Sequence, residues 1–202
     1  EMGRPILACP GYAAIMKGDW ETTQTFAGLS IVGHLARLTA RYGIPIRSMA
    51  IQPDIYPLLE ETVRASYMLE GKGDLFRPEM VQFTGGTTMS FATVASGIIF
   101  REKCGGNVMV GGYGGETLIV LENANRAGAM QVGGTASYHN IPFFVAVCDY
   151  SLISEEVMAA GAYLSKDPEQ IGSVTGQDIA RMVIVALTAL GAILASFGAE
   201  KG

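Results

Sequence analysis

Three consecutive predicted strands of this chain end in paired glycines, in the runs VQFTGG, VMVGGYGG and MQVGGT. Glycine at a strand end lets the backbone approach a ligand closely, and the helix that follows offers unpaired N–H groups and a positive dipole suited to an anion. Threonine hydroxyls and carboxylates follow several of these strands and could complete such a site. The candidate ligand-binding residues are Gly85, Gly86, Thr87, Thr88, Gly111, Gly112, Gly114, Gly115, Glu116, Thr135 and Asp149.

The same glycines have a second interpretation, in which they permit tight turns and close packing between strand ends, helices or neighbouring subunits. The standard phosphate-binding motifs do not occur in the sequence. There is no G-x-x-x-x-G-K-[ST], and the G-x-G-x-x-G frame that starts at Gly112 meets Thr117 where a glycine is required. We therefore expect no cofactor, and a small-molecule ligand remains the alternative to a packing role.

The residues that could support catalysis or metal binding form no coherent set. Ser137, His139 and Asp149 are close in sequence, but no G-x-S-x-G motif surrounds the serine. His34 and His139 have no spacing to cysteines or carboxylates that would hold zinc. We predict no catalytic residues and no metal, so the pattern favours a non-enzymatic protein.

The elements that must position the glycines are short β-rich apolar runs, which alternate with longer segments of helical period over the first 150 residues. This alternation predicts an α/β domain over residues 1–166, with a mostly parallel sheet of about five to six strands and helices on both faces, in a three-layer, Rossmann-like arrangement. Residues 142–147 are the predicted sixth strand, and Ser154 is predicted to cap a helix over residues 155–165. Because the carboxyl ends of parallel strands share one edge, the candidate residues are expected on one surface.

Residues 182–199 form an uncharged apolar segment, which follows a predicted linker at residues 167–181. As a helix it would be about 27 Å long, slightly short of the roughly 30 Å hydrocarbon core of a bilayer. Its apolar residues surround the helix, whereas a helix at the edge of a small soluble domain shows one polar face. We predict a membrane anchor here, with a buried helix that closes the domain as the alternative. The predicted membrane-helix side chains are Met182, Val183, Ile184, Leu187, Leu190, Ile193, Leu194 and Phe197.

Composition narrows the class of protein further. The chain has 202 residues, 26 of them glycine, and a net charge of −5 with no cluster of basic residues, so nucleic-acid binding is not expected. Its mean hydropathy of +0.30 arises largely from the apolar segment. Cys9, Cys104 and Cys148 lie far apart without a C-x-x-C motif, and we predict that they are reduced residues of the core.

Residues 134–178, GTASYHNIPFFVAVCDYSLISEEVMAAGAYLSKDPEQIGSVTGQD, are followed almost at once by the apolar segment. Together they resemble the C-terminal half of an uncharacterised prokaryotic family of membrane-anchored α/β domains. The runs EMGRPIL, FAGLSIVG and GIIFREK are also similar to segments of that family, so the resemblance spans nearly the whole chain. The family has no established activity and implies no catalytic residues. It implies membrane attachment, with further apolar segments ahead of the domain.

From the sequence we therefore expect a membrane-associated, non-catalytic α/β domain on the cytoplasmic side of the membrane. It would assemble as a homo-oligomer through its glycine-rich edge and small-residue helices, and act as a scaffold or structural subunit. The alternative is a domain that binds a nucleotide, another anion or a different small molecule at the glycine-rich strand ends.

Overall fold

The structure, a computed structural model, describes residues 3–12 and 20–199. In this part of the chain six strands alternate with α-helices. The strands are β1 (Ile6–Cys9), β2 (Ile46–Ala50), β3 (Val81–Phe83), β4 (Gly106–Val110), β5 (Met130–Thr135) and β6 (Tyr150–Ile153). The helices are α1 (Trp20–Tyr42), α2 (Ile55–Leu69), α3 (Thr88–Glu102), α4 (Thr117–Arg126), α5 (Ile141–Val147), α6 (Glu155–Ser165) and α7 (Pro168–Ala199).

All six strands form one parallel sheet in the order β3-β2-β1-β4-β5-β6. The centre is β1, where Ile6 is in register with Ile46 of β2 on one side and with Gly106 of β4 on the other. The chain builds the sheet outward from β1 to β3 and then returns to β4, so the switch point lies between β1 and β4. The predicted α/β fold with a parallel sheet is confirmed.

Helices cover both faces of the sheet, which explains why the central strands are apolar along their whole length. One face packs against α1, α2 and α6 through buried side chains such as Ile46, Leu59 and Val157. The other face packs against α3, α4 and α5, where Met109 and Phe144 are buried. The predicted three layers are therefore present.

The sixth strand is not where we predicted it. Residues 142–147 belong to helix α5, and β6 is formed by Tyr150–Ile153. Pro142 lies in the first turn of α5, where a backbone N–H has no helical partner and proline is tolerated. A short apolar run fits a strand and a buried helix equally well, and of this run only Phe144 is fully buried.

Helix α6 has the predicted bounds, but Ser154 does not cap it. Ser154 has a positive φ of 57° and its side chain makes no capping hydrogen bond. Instead, Oε2 of Glu156 accepts a hydrogen bond of 2.8 Å from the backbone N–H of Ile153. The two glutamates of the first turn, Glu155 and Glu156, still face the positive end of the helix dipole as expected.

Helix α7 is continuous over 32 residues. The segment that we expected to be a linker, residues 167–181, is helical from Pro168 and passes into the apolar segment without a break. At 1.5 Å per residue the helix is about 48 Å long, far longer than any other helix of the domain.

Candidate functional site

At the switch point between β1 and β4, backbone packs closely against backbone among the described residues. A Cβ atom added to Gly111 would lie 2.2 Å from the carbonyl oxygen of Pro10, and one added to Gly28 of α1 would lie 2.4 Å from that of Val110. Gly11 is equally enclosed, because its added Cβ would lie 2.9 Å from the amide nitrogen of Gly112. At these positions glycine allows close packing between strand ends and α1, in agreement with the second interpretation of the glycine pairs.

A cluster of aromatic side chains lies next to this packed backbone. The ring of Tyr12 meets those of Phe91 and Tyr113 edge-on, with both centroid distances 4.9 Å. The Tyr113 hydroxyl donates a hydrogen bond of 2.7 Å to the carbonyl oxygen of Cys9. Burial raises the pKa of both tyrosines, so they remain neutral. Among the described residues, these aromatic side chains occupy part of the space between the ends of β1 and β4, where doubly wound folds usually hold a ligand.

The open part of the carboxyl edge lies beside this aromatic cluster. A Cβ added to Gly85, Gly86 or Gly115 would meet no atom within 4 Å, and Gly85 has a φ of +69° that favours glycine. Thr87 caps α3, since its Oγ1 accepts a hydrogen bond of 3.2 Å from the N–H of Ser90. Its hydroxyl oxygen therefore has a partner within the protein, whereas the three glycines leave space for a ligand.

A carboxylate of the chain itself lies between the first turns of α3 and α4. Thr88 Oγ1 donates a hydrogen bond of 2.6 Å to Oε1 of Glu116, and this bond, with a second from the Glu116 backbone, lowers the pKa of the carboxyl group. A Cβ added to Gly114 would lie 2.5 Å from the other carboxylate oxygen. Because Glu116 is ionised at neutral pH, it repels a phosphate and favours a cationic or hydroxyl-bearing ligand.

Thr135 is occupied by a buried network at the end of β5. Its Oγ1 accepts a hydrogen bond of 3.1 Å from the N–H of Ser137 and lies 3.5 Å from Oε1 of Gln24, which accepts a 2.8 Å bond from the N–H of Ala136. Gln24 of α1 is fully buried, and its Nε2 has no partner among the described residues. We did not predict Gln24 from the sequence, because a glutamine in a helix carries no signal of burial.

Asp149 does not lie at the carboxyl edge. Since residues 142–147 are helical, Asp149 precedes β6 instead of following a strand, and it lies at the amino edge of the sheet. There its Oδ2 accepts a hydrogen bond of 2.7 Å from the N–H of Gln131, the second residue of β5. Ser137 follows the other end of β5, so Ser137, His139 and Asp149 do not come together.

The remaining candidates for chemistry have structural surroundings. Cys9, Cys104 and Cys148 are free cysteines, and burial raises their pKa values to about 12, about 11 and about 12 respectively. Such thiols are poor nucleophiles at neutral pH. Within residues 3–12 and 20–199, no group of three or more His, Cys, Asp or Glu side chains is placed to hold a metal ion.

In the described part of the chain, helix α7 contacts the domain along its first half. Gln170 Nε2 donates a 2.9 Å hydrogen bond to Ser30 Oγ of α1, and Arg181 forms a 3.2 Å ion pair with Glu155 of α6. A cavity of about 330 Å³ separates these helices, with Phe26, Met158 and Val174 in its lining. Residues Pro168–Ile193 are long and apolar enough to cross a membrane, and none of the most apolar stretch is buried. The side chains of Leu194 and Phe197 lie outside the described part of the helix.

The sheet order and the two helical layers define a doubly wound α/β domain, here extended by a long, exposed apolar helix. The chain belongs to the family described as a domain of unknown function (DUF6754), whose sequence pattern matches residues 1–202. The predicted resemblance to an uncharacterised family is confirmed, while its membrane attachment stays a prediction. No curated protein and no solved structure matches this chain.

Proposed function

We propose that the protein is a membrane-anchored, non-catalytic α/β domain whose apolar helix lies in a lipid bilayer. The observation that carries this proposal is the exposure of Met182, Val183, Ile184 and Val185, each between 52% and 67% exposed. Successive helical residues point about 100° apart, so these four side chains surround the axis. A soluble helix that docks on its own domain would bury one side of this set.

The hydrogen bonds within the apolar half of α7 support a lipid environment. The hydroxyl of Ser196 donates a 2.9 Å bond to the carbonyl of Ala192, and that of Thr188 donates to the carbonyl of Ile184. Both hydroxyls therefore have a partner within the helix, as the hydrocarbon interior requires of polar groups. Removing each large apolar side chain from water would contribute about 1.5–3 kcal/mol, which amounts to a strong driving force for insertion.

Self-association of the anchors is the second part of the proposal. Gly191 and Ala195 are four residues apart, as are Ala192 and Ser196, and such small-residue spacing allows transmembrane helices to approach closely. No described element lies within 4 Å of a Cβ added to Gly191, so this position is available to a second copy. We infer a homo-oligomeric scaffold or structural subunit, and the three free cysteines support a cytoplasmic domain.

Flotation of the full chain with phospholipid vesicles tests the anchor. We expect the protein to float and to resist alkaline extraction, whereas the double variant Leu187→Arg, Leu190→Arg is released. Each arginine at the centre of a membrane helix costs about 2.5–3.5 kcal/mol on insertion scales. Gln177→Glu, in the first half of α7, is the control and should float like the unmodified chain. A full chain that stays soluble and monomeric without detergent or lipid would exclude the anchor.

Native mass spectrometry in mild detergent tests the oligomer and the alternative function together. We expect more than one copy of the chain per particle, and a monomer at every concentration would contradict the scaffold. The alternative, a small-molecule site, is favoured by the open space at Gly85, Gly86 and Gly115 beside Glu116. It requires a retained ligand that disappears in the double variant Gly86→Val, Gly115→Val while the fold is preserved.

A further inference from the structure

The direction of α7 relative to the sheet follows from two contacts. Helix α6 begins just after β6 ends, so its first residue, Glu155, marks the carboxyl edge of the sheet. Helix α7 begins beside the other end of α6 and places Gln170 against Ser30 in the middle of α1. Its Arg181 then reaches Glu155. The first half of α7 therefore runs antiparallel to α6, from the amino edge of the sheet toward the carboxyl edge.

The apolar half of α7 leaves the domain at this carboxyl edge. Residues 168–181 rise about 21 Å along the axis, which takes the helix past the whole length of α6, about 16 Å for its 11 residues. Beyond Arg181 the helix continues through Met182 without a break. From there the apolar stretch runs outward with none of its residues buried.

From this geometry we propose that the carboxyl edge of the sheet faces the surface of the bilayer. The inference rests on the proposed membrane anchor and adds which surface of the domain meets lipid headgroups. The edge nearest α7 comprises the loop after β5, with Tyr138 and His139, and the end of β6 at Ile153. The amino edge, which holds Asp149, faces away from the membrane.

The side chains of this edge suit a lipid–water interface. Tyr138 is 73% exposed, and its ring lies on that of His139 with a centroid distance of 3.9 Å. Aromatic rings that carry a polar group are enriched at the level of lipid headgroups. Ile153 adds an exposed aliphatic side chain at the end of β6.

Charge indicates which headgroups the edge would meet. The opposite edge, where helices end, carries charges of both signs: acidic Glu70 and Glu102 lie there with Arg41, Arg101, Arg126 and Lys166. Among the described residues, the membrane-facing edge carries Glu116, Glu155 and Glu156 together with one cation, Arg181, which is paired with Glu155. Because a polybasic surface is what attracts anionic lipid, this edge fits a zwitterionic interface and should not need acidic lipids.

Labelling of the full chain in phosphatidylcholine vesicles tests the orientation. A fluorophore is attached to Tyr138→Cys or, as a control at the amino edge, to Arg126→Cys at the exposed end of α4. Nitroxide-labelled headgroups should quench the probe at position 138 at least twofold more strongly than the probe at position 126. Addition of acidic lipid should leave this ratio unchanged.

The outcomes separate this inference from the anchor on which it rests. If the protein floats with the vesicles but position 126 is quenched as strongly as position 138, the anchor stands and the orientation is overturned. If the protein does not float, the anchor fails and the inference fails with it. Quenching at position 138 that appears only with acidic lipids would overturn the assignment of a zwitterionic interface.

Discussion

The hydroxyl group of Tyr113 donates a hydrogen bond of 2.7 Å to the carbonyl oxygen of Cys9, across the switch point of the sheet. Cys9 is the last residue of β1, and Tyr113 lies in the loop that follows β4. Both residues are buried, and Asn140 donates a further hydrogen bond to the carbonyl of Tyr113. The bond therefore joins the end of β1 to the loop after β4, at the point where the paths of the two central strands diverge.

Tyr113→Phe should destabilise the domain by about 1–3 kcal/mol, because the buried carbonyl of Cys9 would lose its donor. The matched control is Tyr138→Phe, which removes the same hydroxyl from an exposed ring. Denaturant unfolding of both variants measures the difference. Equal midpoints for the two variants would show that the Tyr113 bond does not contribute to stability.

Gly28→Ala should destabilise the domain by several kcal/mol or prevent folding. The added methyl group would lie 2.4 Å from the carbonyl oxygen of Val110 and 2.6 Å from that of Pro10, and neither backbone can move easily. Gly172→Ala is the control within a helix, since its methyl group would meet open space. It should stabilise α7 by about 0.5–1 kcal/mol through helix propensity. Thermal unfolding of both variants tests the pair, and a neutral Gly28→Ala would contradict the close packing.

Thr88→Val should remove stability that depends on pH. The hydrogen bond to Thr88 lowers the pKa of Glu116 in the folded state, so its contribution is complete above the ordinary glutamate pKa and is lost as the pH falls through the lowered value. We expect a loss of about 1 kcal/mol at pH 7, limited because Glu116 is partly exposed.

Unfolding midpoints measured at pH 7 and at about pH 3 test whether this stabilisation is lost as the pH falls. The difference in unfolding midpoint between the unmodified chain and Thr88→Val should be smaller at about pH 3 than at pH 7. Thr93→Val is the control, since the exposed Thr93 hydroxyl bonds to a carbonyl of its own helix and involves no ionisable group. An equal difference in unfolding midpoint at both pH values would show that Glu116 is not the source of the lost stability.

The three thiols should react slowly with maleimide in the folded protein. With pKa values of about 11 or above for Cys9, Cys104 and Cys148, the thiolate fraction at pH 8 is at least about a hundredfold lower than for an ordinary cysteine. Mass spectrometry of the labelled chain counts the modified thiols, and the protein unfolded in denaturant gives the reference rate. A thiol that reacts at the reference rate in the folded protein would contradict its burial.

Much of the fold could be predicted because apolar periodicity reports burial directly. The apolar pattern predicts a buried strand over residues 44–51 and an amphipathic helix over residues 56–70, and the structure has β2 at Ile46–Ala50 and α2 at Ile55–Leu69. The prediction of a strand at residues 142–147 is wrong, because a run of six apolar residues shows neither a helical nor a strand period. That single error also moved Asp149 to the wrong edge of the sheet, since its position was inferred from the strand before it.

The candidate site was harder to predict than the fold. Sequence shows that a glycine permits close approach, but only coordinates show what approaches: backbone at Gly111 and open space at Gly115. The contact between the rings of Tyr12 and Tyr113 depends on segments that meet from distant parts of the chain. No local pattern encodes such convergence, so the distinction between a ligand crevice and a packed one was beyond the sequence.

Because α7 is continuous, it fixes the rotation of its apolar half about the helix axis as well as the direction of that axis. Because each residue turns the helix by about 100°, the number of residues between the Arg181 contact and any later position sets which way that position points relative to the sheet. One residue inserted after Arg181 would leave the docked half in place and rotate the whole apolar half by about 100°. The continuous helix thus holds the apolar half of α7 at a defined rotation about the helix axis relative to the domain.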